Sequence, residues 1–202
     1  MKKILSVLLV VLMLASLSVC AFAGDSPSQD PGDPGVVVVP TDTDKEKAEA
    51  EKAEAEATET IDEAKTTAED ENGEDAVVAL GNLPAEATAE MKADFKDLED
   101  TLVDAKKALA NIGEAAIPAE VTAEVGEDVK VEAGQAFRAV ANEYPVTITI
   151  AVENPKDFVG MMVFVNGKWV KLNTIVNDDG TVTFVLDQPA VLSIVSQIVE
   201  AA

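Results

Sequence analysis

The chain has 202 residues, with 15 Lys and Arg against 38 Asp and Glu and no histidine, enough for one ordinary domain with an attachment but not for a large enzyme core. Apart from the adjacent Lys106 and Lys107, cations after the first residues are scattered singly among carboxylates, so no nucleic-acid partner is expected and anionic membranes are disfavoured, because phosphates are held by clustered Lys or Arg. With Cys20 the only cysteine, everything after it lacks a disulfide, a Cys or His metal site and the commonest general base.

Residues 1–23 read as an export signal: Lys2 and Lys3, an apolar run from Ile4 to Val19, then Ala21-Phe22-Ala23 before Gly24. A charged start, a short apolar core and an A-x-A site make a signal-peptidase substrate, so cleavage is expected between Ala23 and Gly24, with the mature protein secreted. Loss of Lys2 and Lys3 leaves 13 cations against 38 acids, a net charge of −25. The alternative is a lipobox, Leu17-Ser18-Val19-Cys20, which would acylate Cys20 and hold the protein on the outer face of the membrane, although Val19 stands where that motif takes a small residue. The apolar run falls short of the ~20 residues that span a bilayer, so no membrane contact is expected beyond the signal or that lipid.

Residues 24–44 carry Pro27, Pro31, Pro34 and Pro40 among glycines, aspartates and serines, a mix that buries too little apolar surface to offset ordering entropy. A disordered tether is expected there, with Val36 to Val39 its one β-prone run. Residues 45–75 are low-complexity and acidic, with KAEAEKAEAEA near the start. Helix propensity is high and large apolar residues are nearly absent, which predicts a solvated helical spacer or, equally, disorder.

After the short apolar stretch Ala76 to Leu80, Pro84 and a capping Asn82 predict a helix over 84–113 that stops at Gly113. Met91, Phe95, Leu98, Leu102, Ala105, Leu109 and Ile112 alternate at spacings of four and three, an amphipathic heptad stripe of the coiled-coil type. Such a stripe must be buried. Three heptads only just reach coiled-coil length, so packing within the chain is favoured, and self-association through this helix is the alternative.

Past Pro118 alanines thin out and β-branched residues multiply, which places a domain boundary between Gly113 and Pro118 and a β-domain over 117–202. Strands are expected at Val121 to Val125, Val129 to Glu132, Ala136 to Ala141 and Val146 to Val152, the last with large aliphatics on even positions. Asn166-Gly167 predicts a type I′ hairpin joining Met161 to Val165 with Lys168 to Leu172. The turn Asn177-Asp178-Asp179-Gly180 leads into Thr181 to Leu186, and Ala190 to Val195 closes the run. The whole is expected to be an α+β protein whose C-terminal part is an antiparallel, immunoglobulin-like β-sandwich.

The YPVTITI strand, the NGKW hairpin, the DDGTVTF hairpin and the closing QPAVLSIVS together resemble small β-sandwich modules of secreted and surface proteins from Gram-positive gut bacteria, over Tyr144 to Ser196. In similar modules the closing strand opens with Ser-Pro, where this chain has Gln188-Pro189. The resemblance implies architecture and an extracellular address rather than an activity.

Asp178 and Asp179 beside Asn177 and Gly180 read as turn residues before they read as Ca²⁺ ligands, since their spacing is not that of an EF-hand loop. Glu69-Asp70-Glu71 with Glu74 and Asp75 reads as a solvated linker. Trp169 is either a core residue or a surface anchor for a glycan or protein. No Gly-rich phosphate loop, Gly-x-Ser-x-Gly elbow or Ser-x-x-Lys nucleophile is present, so no catalytic, metal or cofactor residue is assigned. The expectation is a secreted, non-catalytic structural or interaction module whose partner is a protein or glycan at the cell surface; the alternative is a soluble carrier of a small molecule, peptide or cation.

Overall fold

A computed structural model describes residues 42–58, 61–62, 65–112, 117–123, 125 and 129–198. The segment read as an export signal, with Cys20, Ala23 and Gly24, and most of the segment expected to be a tether lie outside the described residues. The first element is helix α1, Asp42–Thr58. Its Lys47, Ala50, Ala53, Glu54, Ala57 and Thr58 recur at helical spacing and are buried or half-buried, so this acidic segment has an inward face made of small side chains and one carboxylate.

Two short strands follow, β1 (Thr67–Glu69) and β2 (Val78–Leu80). Between them the Asp70 carboxylate accepts from the Asn72 and Glu74 amides at 2.8 and 2.7 Å, and Gly73 takes φ +77°. This is an Asx-type turn, and those amides hold the exposed Asp70 carboxyl below its ordinary range.

Helix α2 (Ala89–Asp97) starts at Thr88, whose side chain accepts from the Met91 amide at 3.1 Å. Helix α3 (Glu99–Ile112) follows with only Leu98 between them. The single helix expected over 84–113 is therefore two, beginning five residues later than Pro84: Pro84 closes a turn with Ala87 instead, and Thr88 is the better-placed cap. The heptad stripe is spent inside the chain. Met91 and Phe95 pack on Ala79, Ala87 and Val140, while Leu102 and Ala105 pack in a cluster with Val121, Trp169 and Val195.

Residues Ala119–Thr122 form a short helix, α4, in place of the strand expected at Val121 to Val125. Pro118 at its N-cap, with φ −59°, suits a helix start, and Val121 is fully buried beneath it. The remaining strands are β3 (Val131–Ala133), β4 (Phe137–Ala141), β5 (Val146–Ala151), β6 (Phe158–Val165), β7 (Lys168–Leu172), β8 (Thr174–Val176), β9 (Thr181–Leu186) and β10 (Ala190–Gln197). Asn166 and Gly167 have φ of 51° and 77°, the pair of positive angles a two-residue I′ hairpin requires.

The strands form two antiparallel sheets. One runs β1-β5-β9-β8, the other β2-β4-β10-β6-β7 with β3 also on β10. Phe137, Ile148, Ile150, Met161, Phe184 and Leu192, drawn from both sheets, share one buried cluster, which is the filling of a β-sandwich. In β5 the even residues Val146, Ile148 and Ile150 are fully buried, and register Ile148↔Phe184 and Leu192↔Val163 brings the large side chains opposite one another. The helices gather on the outer face of the larger sheet, α1 and α2 against β4, α3 against β7 and β10, α4 against β6.

A boundary between Gly113 and Pro118 does not survive this topology. Strand β1 pairs with β5 through Ala68↔Ile148, and β2 pairs with β4 through Ala79↔Val140. Segments expected to be spacer are thus strands of the sandwich, and helix α1 docks on it.

Candidate functional site

The most polar buried constellation centres on Arg138, the chain's only arginine. It lies in β4, a strand buried along its whole length, and is 5% exposed; Glu54 of α1 opposite it is 1% exposed. The guanidinium contacts the carboxylate through Nε at 3.0 Å to both oxygens and through Nη2 at 2.5 Å, and the Arg138 backbone N–H donates to Oε1 at 2.6 Å. Nη1 donates to the Phe95 carbonyl at 3.1 Å, and the guanidinium stacks 3.7 Å over the Phe95 ring. Arginine's planar fork suits this bidentate, stacked geometry as lysine would not.

Three lysines extend the constellation along α1. Lys106 Nζ donates to the Ala50 carbonyl, Lys107 pairs with Glu46 at 2.7 Å, and Lys47 reaches Glu99 and Asp100 at 3.3 and 3.0 Å. Burial pushes Lys106 down to about 8, with Glu54 pulling the other way. Exposed Lys107 and half-buried Lys47 are raised by their carboxylate hydrogen bonds. Every one of these groups is engaged with the protein itself, so the constellation fastens α1. The sequence signal for it was a lone arginine inside the apolar run FRAVA, which requires an internal counter-charge.

Two clefts open on the surface. One, of about 400 Å³, lies by the α1–β1–β2 corner and includes Thr58, Ile61, Leu80, Leu83 and Glu86. The other, of about 490 Å³, is lined by the carboxylates Glu56, Glu132, Glu153 and Asp157 over Phe137, Phe158 and Ile194, with no lysine or arginine in its wall. Among the described residues no group of three acidic, Cys or His side chains is placed to hold a metal ion, and no described helix is long and apolar enough to cross a membrane.

Asp179, weighed against a cation ligand, accepts from Thr181 N and Oγ1 at 3.0 and 2.7 Å. Those bonds hold its carboxyl below the ordinary range, and Gly180 completes the turn with φ +82°. Trp169 faces the helix layer at 7% exposure, its ring centroid 5.2 Å from that of Phe164 and tilted by 60°. A surface anchor it is not; its Nε1–H is buried without a hydrogen-bond partner.

Each sheet has two outer strands, β2 and β7 in the larger and β1 and β8 in the smaller. Of these, β7 and β8 are neighbours in the chain, joined by Asn173 alone. Exposed Val165, Val170, Ile175, Val176 and Val185 all belong to these two strands and their partners β6 and β9, with Ile175 66% exposed. Aliphatics on an unpaired edge are the feature that soluble sheets ordinarily blunt with charge or cover. Compared with known protein families, curated proteins and solved structures, the chain matches none.

Proposed function

We propose that this chain is a secreted, non-catalytic interaction module working at or near a bacterial cell surface, its C-terminal part a small β-sandwich of the kind found in Gram-positive surface proteins. The observation that carries the reading is the β7–β8 side, where two unpaired edges and five exposed aliphatics coincide. Such an edge takes a protein partner by strand addition, main-chain bonds supplying affinity and alternate side chains specificity. The export signal supplies the address, and the net charge keeps the module soluble there.

A second reading, a carrier for a small cation or cationic peptide, is favoured by the four-carboxylate cleft over Phe137 and Phe158. Both readings require export. Intact-mass spectrometry of the protein from separated medium, membrane and cytoplasmic fractions of its host tests it: a mass beginning at Gly24 in the medium, or a diacylated mass beginning at Cys20 in the membrane, is the expected result. Protein retained in the cytoplasm with Met1 intact overturns it.

A further inference from the structure

The four outer strands are not equally guarded. β7 carries Lys168 and Lys171, β1 ends on the exposed Glu69, and the side chains of β2 are buried or half-buried; charge and cover are the usual ways a sheet protects its edge. Length does not separate them, because β1, β2 and β8 have three residues each. β8 has neither charge nor cover. It pairs with β9 alone, and its Ile175 and Val176 are 66% and 56% exposed. From Asn173 to Asn177 the sequence NTIVN holds no charged residue.

That segment is close to a palindrome. An antiparallel pairing about a two-fold axis through Ile175 sets Ile175 against Ile175, Thr174 against Val176 and Asn173 against Asn177 of a second copy. All three residues of β8 are β-branched, the type that suits such cross-strand positions. Charge fixes the orientation. The nearest charged residue before the segment is Lys171, and the nearest after it are Asp178 and Asp179. The antiparallel arrangement therefore brings the lysine end of each copy to the aspartate end of the other, whereas a parallel one sets like charge beside like. Ile175 is in register with Thr183, so Val185, two residues further along β9, shares its face. Joined in this way, two four-stranded sheets become one continuous sheet with Ile175 and Val185 of both copies on one surface. The net charge of −23 resists contact between the charged faces of two copies, which makes an uncharged edge the place where they can meet.

We propose that the occupant of the β8 edge is a second copy of this chain, paired β8 to β8 about that two-fold axis. The inference rests on the reading of the β7–β8 side as a docking edge and names its partner. Few residues meet, so the dimer belongs with small, transient interfaces and forms where copies are crowded.

Sedimentation equilibrium of the protein from Gly24 onwards should show a monomer–dimer equilibrium with a Kd tighter than about 1 mM. As the parent is concentrated, amides of residues 174–176 should gain hydrogen-exchange protection, a readout that needs no variant. Ile175→Lys and Ile175→Glu, at a position open to solvent, should each weaken dimerisation at least about tenfold, since each faces its own charge across the axis. Mixed in equal amounts, the two variants should associate again, because lysine then faces glutamate. Val170→Thr on β7 should leave the dimer unchanged, and thermal unfolding checks that every variant keeps its fold. A parent chain that stays monomeric at about 1 mM, without added protection at 174–176, overturns the proposal and leaves the export reading to its own mass measurement. A dimer undiminished by Ile175→Lys, or lysine and glutamate variants that stay apart when mixed, overturns it as well.

Discussion

Replacing Glu54 by glutamine separates a latch from a core residue. The side chain keeps its size and one oxygen acceptor, but turns an amide NH₂ toward a guanidinium that now donates at 3.0 and 2.5 Å to carboxylate oxygens. Were α1 to stay docked, Arg138 would keep only the exposed Glu51 carboxylate at 4.0 Å, and breaking a buried pair in this way costs about 3–5 kcal/mol. Besides the pairs of Lys47 and Lys107 and the Lys106 bond to the Ala50 carbonyl, of which exposed pairs contribute little, the helix is held by the burial of about four methyl groups, those of Ala50, Ala53, Ala57 and Thr58, or roughly 3 kcal/mol at ~0.8 kcal/mol each, before the cost of ordering the helix. The loss matches or exceeds what remains, so α1 should leave and return Arg138 to water. Native-state hydrogen exchange reads this directly. Amides of residues 47–58 should lose protection by about 100-fold, the equivalent of ~3 kcal/mol, while β5 and β9 amides and the urea midpoint seen by Trp169 move by less than about 1 kcal/mol. Equal loss of protection in α1 and in the sheets would show a single cooperative unit, and unchanged protection of α1 would show that the ion pair holds nothing; either refutes the reasoning.

Two further perturbations test the same corner. Gly81→Ala and Gly73→Ala both place a side chain at positive φ, +71° and +77°, a cost of about 1–2 kcal/mol, but the Gly81 methyl would also run into Thr58 while Gly73 faces open space; thermal unfolding should therefore show Gly81→Ala the more destabilising by at least about 1 kcal/mol. Lys106 is depressed from 10.5 to about 8 by burial. Between those values the unfolded chain holds a proton that the folded chain has released, so stability contributed at this site is low below pH 8 and rises toward pH 10.5. Because the group is half solvated, the change is on the order of 1 kcal/mol: parent urea midpoints should gain on those of Lys106→Met between pH 7 and pH 10, and a pH-independent gap would exclude Lys106 as the cause.

What the sequence made legible follows from which residues carry position-specific chemistry. Asn166-Gly167 admits one hairpin, and the even-position aliphatics of β5 admit one buried face; both stand as read. Strand β8 escaped because Thr174-Ile175-Val176 is too short to show a period. The inward face of α1 escaped for a different reason: alanine, threonine and glutamate do not register as a core face on any hydropathy pattern, and the Glu54 carboxylate is buried there because Arg138 supplies its partner. Likewise Thr88 outcompeted Asn82 and Pro84 for a helix start that propensity alone leaves open, and the four residues of α4 are too few to show a helical period.

The same pairing logic bears on where a partner can dock. Strand β2 closes the β4 edge of the larger sheet and β1 closes the β5 edge of the smaller, and both come from a segment whose composition reads as linker. The outer strands are then β2 and β7 in the larger sheet and β1 and β8 in the smaller. β1 and β2 have three residues each, and very short edge strands are one way a sheet blunts its edge; the exposed aliphatics Val170, Ile175 and Val176 lie on β7 and β8 instead. The acidic segment thus does more than space the sandwich from its signal. By docking α1 and lending two strands, it becomes part of the fold, and under the proposed reading a partner strand adds near Asn173, where the exposed aliphatics of β7 and β8 lie.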